Sequence, residues 1–244
     1  MAATAAIGGA WLIAVLAQLT GNAGALHHHA LIEGGPPLWV ALPLFLVAWQ
    51  VMIAAMMLPA SLPAVGVFSS PSRTRSRPRR ALIAFFGAYG VVWTVFGVAA
   101  FMGDVALHHL VDATPWLGAR SWLIEASVLG LAGAYQFMPL KRRGLAACRH
   151  PSGQLASTAG IEPGAAWYGF RHALECVASS WALMLLMFAA GFANLAWMAA
   201  LAAVMAYESI GRHGERAALA AGVVLLGLAG LVVLTGWAPG FGAG

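Results

Sequence analysis

Apolar and polar positions alternate along this chain in long blocks rather than short periods, and the blocks define seven apolar stretches with short polar breaks between them. They cover residues 5–26, 38–68, 81–102, 121–140, 171–190, 194–207 and 217–237. A bilayer core of about 30 Å takes roughly 20 apolar helical residues to cross. A helix also satisfies its own backbone polar groups in lipid. The pattern predicts an all-α integral membrane protein, a bundle of about seven transmembrane helices forming one domain over residues 1–244. Periodicity inside each stretch says little, because a helix surrounded by lipid is apolar all round. The second stretch is long and carries Pro43, Pro59 and Pro63, which predicts a kink or an irregular end. The sixth is short and reads either as a span or, with its neighbour, as a tight re-entrant pair.

Composition agrees. Apolar residues make up 61% of the 244 positions and only 9% are Asp, Glu, Lys or Arg, against roughly 25% charged in a soluble domain. The net charge of +5 does not point to nucleic acid, because the cations sit in a few breaks between apolar runs. Arg73, Arg75, Arg77, Arg79 and Arg80 precede the third stretch; Lys141, Arg142, Arg143 and Arg149 follow the fourth; Arg212 and Arg216 follow the sixth. All fall on one side if odd-numbered helices run outward, and Arg120 falls opposite. The positive-inside rule then places the N-terminus in the cytoplasm and the C-terminus outside, in a multi-pass protein of the inner membrane. The first stretch lacks the basic start of a signal peptide and reads as a retained span. The only two cysteines, Cys148 and Cys176, both fall on the cytoplasmic side, where a structural disulfide is not expected.

Ionisable groups inside a span are costly and mark candidate sites. The fifth stretch carries His172, Glu175, Cys176, Ser179 and Ser180, all on one helical face. Imidazole, carboxylate and thiolate on one stripe can hold a transition metal; the same stripe can equally hydrogen-bond to neighbouring helices. In the second stretch Met52 and Met56 stack at i, i+4 with Trp49 beside them. Thioether sulfur suits Cu(I), and methionine also fills gaps in apolar cores. The candidate metal ligands are therefore Met52, Met56, Cys148, His172, Glu175 and Cys176.

A second, outer cluster is formed by Asp104, His108 and Asp112 at i, i+4, i+8, with His109 alongside. It reads as a divalent-metal or proton site, or as an interfacial segment. His27, His28, His29 and Glu33 lie in the first outer break, and Glu125 sits near the outer end of the fourth stretch. Ala126, Gly130 and Ala134, with Gly222, Gly227 and Gly230, predict close helix contacts.

Several motifs in order carry a resemblance. They are Trp49-x-x-Met52-x-x-x-Met56-Met57-x-Pro59, the run Tyr135 to Lys141, Cys148-Arg149-x-Pro151, then Cys176, Trp181-x-Leu183-Met184 and Gly191-x-x-Asn194-x-x-Trp197-Met198, ending near Glu208. Over roughly residues 45–210 the chain resembles a family of bacterial proteins identified as predicted metal-binding integral membrane proteins. The resemblance implies the fold and a candidate metal rather than a reaction. The family pattern has a further cysteine where this chain has Gly144, and a Cys-Cys-Trp run where it has Ser179-Ser180-Trp181.

Three functions are compatible with these residues. The first is a metal-handling membrane protein, a carrier or holder of copper or, through its carboxylate and imidazole, zinc. The second is a non-catalytic accessory subunit, bound to membrane partner proteins, that has lost the family metal site. The third is a membrane enzyme with a metal at Asp104, His108, His109 and Asp112, but no nucleophile elbow, Walker loop or dinucleotide fingerprint supports one.

Overall fold

A computed structural model describes residues 2–20, 36–66, 78–149, 162–190 and 194–236, and the regular elements among them are all α-helices. In chain order they are α1 (Ala2–Leu19), α2 (Leu38–Met56), α3 (Leu58–Gly66), α4 (Pro78–Ala113), α5 (Pro115–Gly118), α6 (Trp122–Tyr135), α7 (Pro139–Arg149), α8 (Glu162–Ala190), α9 (Leu195–Ile210) and α10 (Gly214–Thr235). Helix α8 is central: it packs along α4 and against α6 and α7. Helix α10 lies on α6, while α2 sits against α1, α4 and α9. His27, His28, His29, Glu33, Arg73, Arg75, Arg77, Pro151 and Gly191 lie outside the described residues.

The second apolar stretch is broken where its prolines predict. Helix α2 ends at Met56 and α3 begins at Leu58. Pro59 has no N–H to give to the carbonyl of Ala55 four residues earlier. The indole of Trp11 on α1 takes that place, donating to the Ala55 carbonyl at 3.1 Å. A second indole fastens α2 to α4: Trp49 Nε1 donates to the Trp93 carbonyl at 2.8 Å. Gly97 makes room for it, since a Cβ there would stand 2.7 Å from that nitrogen.

Three helices are long and apolar enough to cross a bilayer on their own: Leu38–Met56, Arg79–Ala113 and Gly214–Thr235. A fourth crossing results if Trp122–Tyr135 and Pro139–Arg149, bent by 62°, count as one span. By length and composition, then, the described residues supply three or four spanning helices rather than seven. Helices Ala3–Leu19 and Leu195–Ile210 are apolar but shorter. The fifth stretch belongs to a 29-residue helix whose N-terminal half carries Glu162, Arg171, His172 and Glu175.

The small-residue seam differs from its expected register. Helices α6 and α10 touch where a Cβ on Gly133 would meet Leu226 at 2.9 Å and one on Gly222 would meet Phe137 at 2.7 Å. Around Gly227 and Gly230 there is open space, and Ala134 faces outward. The buried positions of α6 are Glu125, Ala126, Leu129, Ala132, Gly133 and Tyr135. A seam used every three or four residues drifts off a strict four-residue repeat.

Candidate metal centre

The buried face of α8 presents His172, Cys176, Ser179 and Ser180 to the interior. The break between α2 and α3 presents Met57 to the same place. Its thioether lies 3.9 Å from Cys176 Sγ, and the Ser180 hydroxyl donates to the same sulfur at 3.5 Å. From α7, which packs on α8, the buried Cys148 joins the same core as Cys176 and Met57. Three sulfurs from three parts of the chain therefore share one buried core, with those of Met57 and Cys176 in contact.

A hydrogen-bonded network closes around them. Tyr89 of α4 pairs its hydroxyl with Cys176 Sγ at 3.4 Å. Ser61 of α3 donates to that hydroxyl at 3.4 Å and stands 3.1 Å from His172 Nε2. The His172 ring is stacked at 6.0 Å on both Phe85 and Tyr89. Ser179 and Ser180 return their hydroxyls to the Cys176 carbonyl at 2.8 and 2.7 Å, as serines in helices do when no better acceptor is near.

A buried ion pair borders the thiols. Lys141 Nζ donates to Glu208 Oε2 at 2.6 Å, with the side chains 1% and 2% exposed. The pair joins α7 to α9 and lies within electrostatic reach of Cys176. Sequence reading placed Lys141 with the loop cations. In the fold it points inward, because a carboxylate 67 residues away receives it.

The candidate ligands fare differently. Cys148, Cys176 and His172 are all buried, and His172 is linked to Cys176 through Ser61 and Tyr89. Met52 and Met56 are buried in the same core, yet the methionine sulfur in contact with Cys176 is that of Met57. Glu175 stands half-exposed at the rim, 3.8 Å from Arg171. On the outer part of α4, His108 Nδ1 lies 2.9 Å from the Asp104 carbonyl and 3.6 Å from its carboxylate, while His109 and Asp112 are exposed. Among the described residues no group of three or more His, Cys, Asp or Glu side chains could hold a metal ion. A soft site here has to draw on methionine.

Met57, Ser61, Tyr89 and the Lys141–Glu208 pair were missed from sequence. The available signal for Met57 was its place one residue beyond Met56, since neighbouring helical positions point about 100° apart. Nothing in the sequence marks Tyr89 among the aromatic residues of its stretch.

The donor chemistry fits a soft cation. Thiolate and thioether ligands select Cu(I). Two sulfurs about 2.3 Å from one metal ion stand roughly 3.8–4.0 Å apart in tetrahedral or trigonal geometry, and Met57 and Cys176 are 3.9 Å apart. The three positions at which the chain departs from the resembled pattern lie at this same place. Gly144 is where α7 crosses α8, a Cβ there standing 2.9 Å from the Glu175 carbonyl. Ser179 and Ser180 flank Cys176. No curated protein and no solved structure matches the chain. A family model described as a copper chaperone matches residues 46–233, well over half of the sequence and every sulfur of this centre, so the chain belongs to that copper-chaperone family, PpoB2.

Proposed function

We propose that this protein is a multi-pass membrane protein that takes Cu(I) as its cargo and holds it between Cys148, Cys176 and Met57 for transfer onward. The observation that carries this reading is the contact of the Met57 and Cys176 sulfurs at 3.9 Å in a buried core that also holds Cys148. Two cysteines supply thiolates, which gain more from a soft cation than any oxygen ligand would. The neutral thioether completes the set without adding charge. Ser180 and Tyr89 hold Met57 and Cys176 by hydrogen bonds, as outer-shell partners hold ligands. Burial keeps water from the bound ion. Zinc is the weaker candidate, because His172 is engaged by Ser61 and Glu175 pairs with Arg171 at the rim. Retention of both cysteines in one buried core counts against a scaffold that has shed its metal site.

The seven crossings and the cytoplasmic N-terminus belong to the same proposal. In it α2 and α3 form one broken crossing, α6 and α7 another, and α1, α8 and α9 cross as well. The large apolar side chains left on the outside support it, among them Leu19, Trp39, Val47, Val95, Val224 and Leu234, since so much exposed apolar surface needs a non-aqueous neighbour. On the cytoplasmic side Cys148 and Cys176 stay reduced and ready for cargo. Reporter fusions after residues 149 and 216 would both read cytoplasmic.

The decisive measurement is metal content by mass spectrometry, on full-length protein in mild detergent carrying a tag without histidine. Loading is with Cu(I) under reducing conditions, and Cys148→Ser and Cys176→Ser are treated in parallel. About one copper per chain in the wild type, lost in both variants, is expected. A wild-type chain without stoichiometric copper would retire this reading and favour the accessory subunit.

A further inference from the structure

Away from the sulfurs, a cavity of about 340 Å³ opens where α7 meets the turn between α9 and α10. It is lined by Ala146, Arg149, Arg212, His213, Glu215 and Arg216. Three arginines and one glutamate thus border a space large enough for a small anion. The cavity plays no part in the copper reading.

Arg149 is fixed there. Its Nη1 donates to the Glu208 carbonyl at 3.2 Å and its Nη2 to the Gly211 carbonyl at 2.7 Å. A guanidinium has five N–H donors in a rigid fork, so three remain. Gly214, the first residue of α10, lets Arg149 lie across the helix start: a Cβ there would collide with the Glu208 carbonyl and with the guanidinium itself. Glu215 and Arg216 belong to the first turn of α10, whose free N–H groups make that end of the helix positive. Arg149 is therefore placed on a built framework of carbonyl bonds and a required glycine, with the exposed Arg212 and Arg216 beside it.

We propose that this cavity binds a phosphate group, with Arg149 as the fixed donor and Arg212 and Arg216 closing over the anion. Guanidinium matches phosphate oxygens two at a time, which suits this fork. The depth favours a lipid source. Helix α10 is long and apolar enough to cross a bilayer and begins at Gly214, so the cavity sits at the level of the headgroups, where basic pockets between helices receive anionic lipids. Free phosphate offers the same chemistry.

The test uses the full-length protein in neutral detergent, with native mass spectrometry and thermal unfolding as readouts. The probes are phosphatidylglycerol, phosphatidylcholine and inorganic phosphate. The variants are Arg212→Gln/Arg216→Gln, Arg149→Lys, and Arg120→Gln as a control on a separate element. Expected is retention of phosphatidylglycerol over phosphatidylcholine with a raised Tm, weakened roughly tenfold or more in the double variant. Arg149→Lys weakens it too, and Arg120→Gln leaves it intact. The double variant alters exposed side chains, so an unchanged Tm without lipid verifies its fold. Inorganic phosphate that raises Tm and displaces the lipid supports the site and assigns it to free phosphate. Equal retention of both lipids by wild type and double variant, with no effect of inorganic phosphate, overturns the proposal.

Discussion

The Met57 thioether stands 3.9 Å from the Cys176 thiol, at the junction between the helix that carries Met56 and the helix that carries Pro59. A continuous helix would send residues 57 and 56 about 100° apart and keep Met52 and Met56 on one stripe. Met57 keeps that helical geometry, its N–H donating to the Ile53 carbonyl at 2.8 Å, and its sulfur meets Cys176 of α8. This relationship separates ligand methionines from packing methionines. Met57→Leu is expected to weaken Cu(I) binding about tenfold in competition with a Cu(I) chelator. Met52→Leu and Met56→Leu, near volume-conserving changes in the core, should leave the affinity within about twofold. Equal losses for the three variants would contradict the assignment.

Trp11 and Pro59 are predicted to be coupled. The indole serves the carbonyl that the proline leaves open, so Trp11→Phe should cost about 1 kcal/mol for the lost hydrogen bond. With Pro59→Ala an amide N–H becomes available to that carbonyl. The cost of Trp11→Phe should then shrink, while copper affinity should hold, because Met57 is already helical. Denaturant unfolding of the four-member cycle in detergent checks the first point, and the chelator titration checks the second.

The Lys141–Glu208 pair should behave as a buried ion pair does. Removing one partner, in Lys141→Met or Glu208→Leu, leaves a buried charge alone and is expected to cost about 3–5 kcal/mol. Removing both should recover most of that loss, because two apolar side chains pack where two charges were desolvated. Thermal unfolding of the two single variants and the double variant reads this directly; additive losses would show that the pair is not a unit.

Restoring sulfur to the site separates room from chemistry. Ser180→Cys, whose hydroxyl already reaches the Met57 sulfur, should raise Cu(I) affinity about tenfold by adding a thiolate. Gly144→Cys should destabilise the protein by about 1–3 kcal/mol, since its Cβ would press on the backbone of Glu175 and Ser179. Affinity and unfolding measured on both variants distinguish the two effects.

Much of this was readable in the chain. The helical class follows from long apolar blocks, and the break in the second block follows from Pro59 and Pro63. Cys148, Cys176 and His172 stood out as polar groups in apolar surroundings, and all three are buried. The number of spanning helices was less legible, because run length does not reveal where a run bends, as α6 and α7 do by 62°. Lys141 was misplaced because a cation next to Arg142 and Arg143 looks like a loop charge until Glu208 is found opposite. Of the small residues expected at close helix contacts, Gly222 and Gly130 lie at the α6–α10 seam, Gly227 and Gly230 meet open space, and Gly133 carries the closest approach from α6 without having been named.

The sequence by itself determined that the chain is helical, that several segments are apolar enough to lie in a bilayer, and that soft ligands are available in few places. These are properties of composition and local spacing, and each residue contributes to them wherever its neighbours in space come to be. The tertiary structure decided which sulfur meets which, that Lys141 faces inward, and that Arg149, Arg212 and Arg216 share one cavity. Those facts depend on the rotation and crossing of whole helices. A bend between two helices or a close approach at one glycine sets them, and no periodicity along the chain records the result.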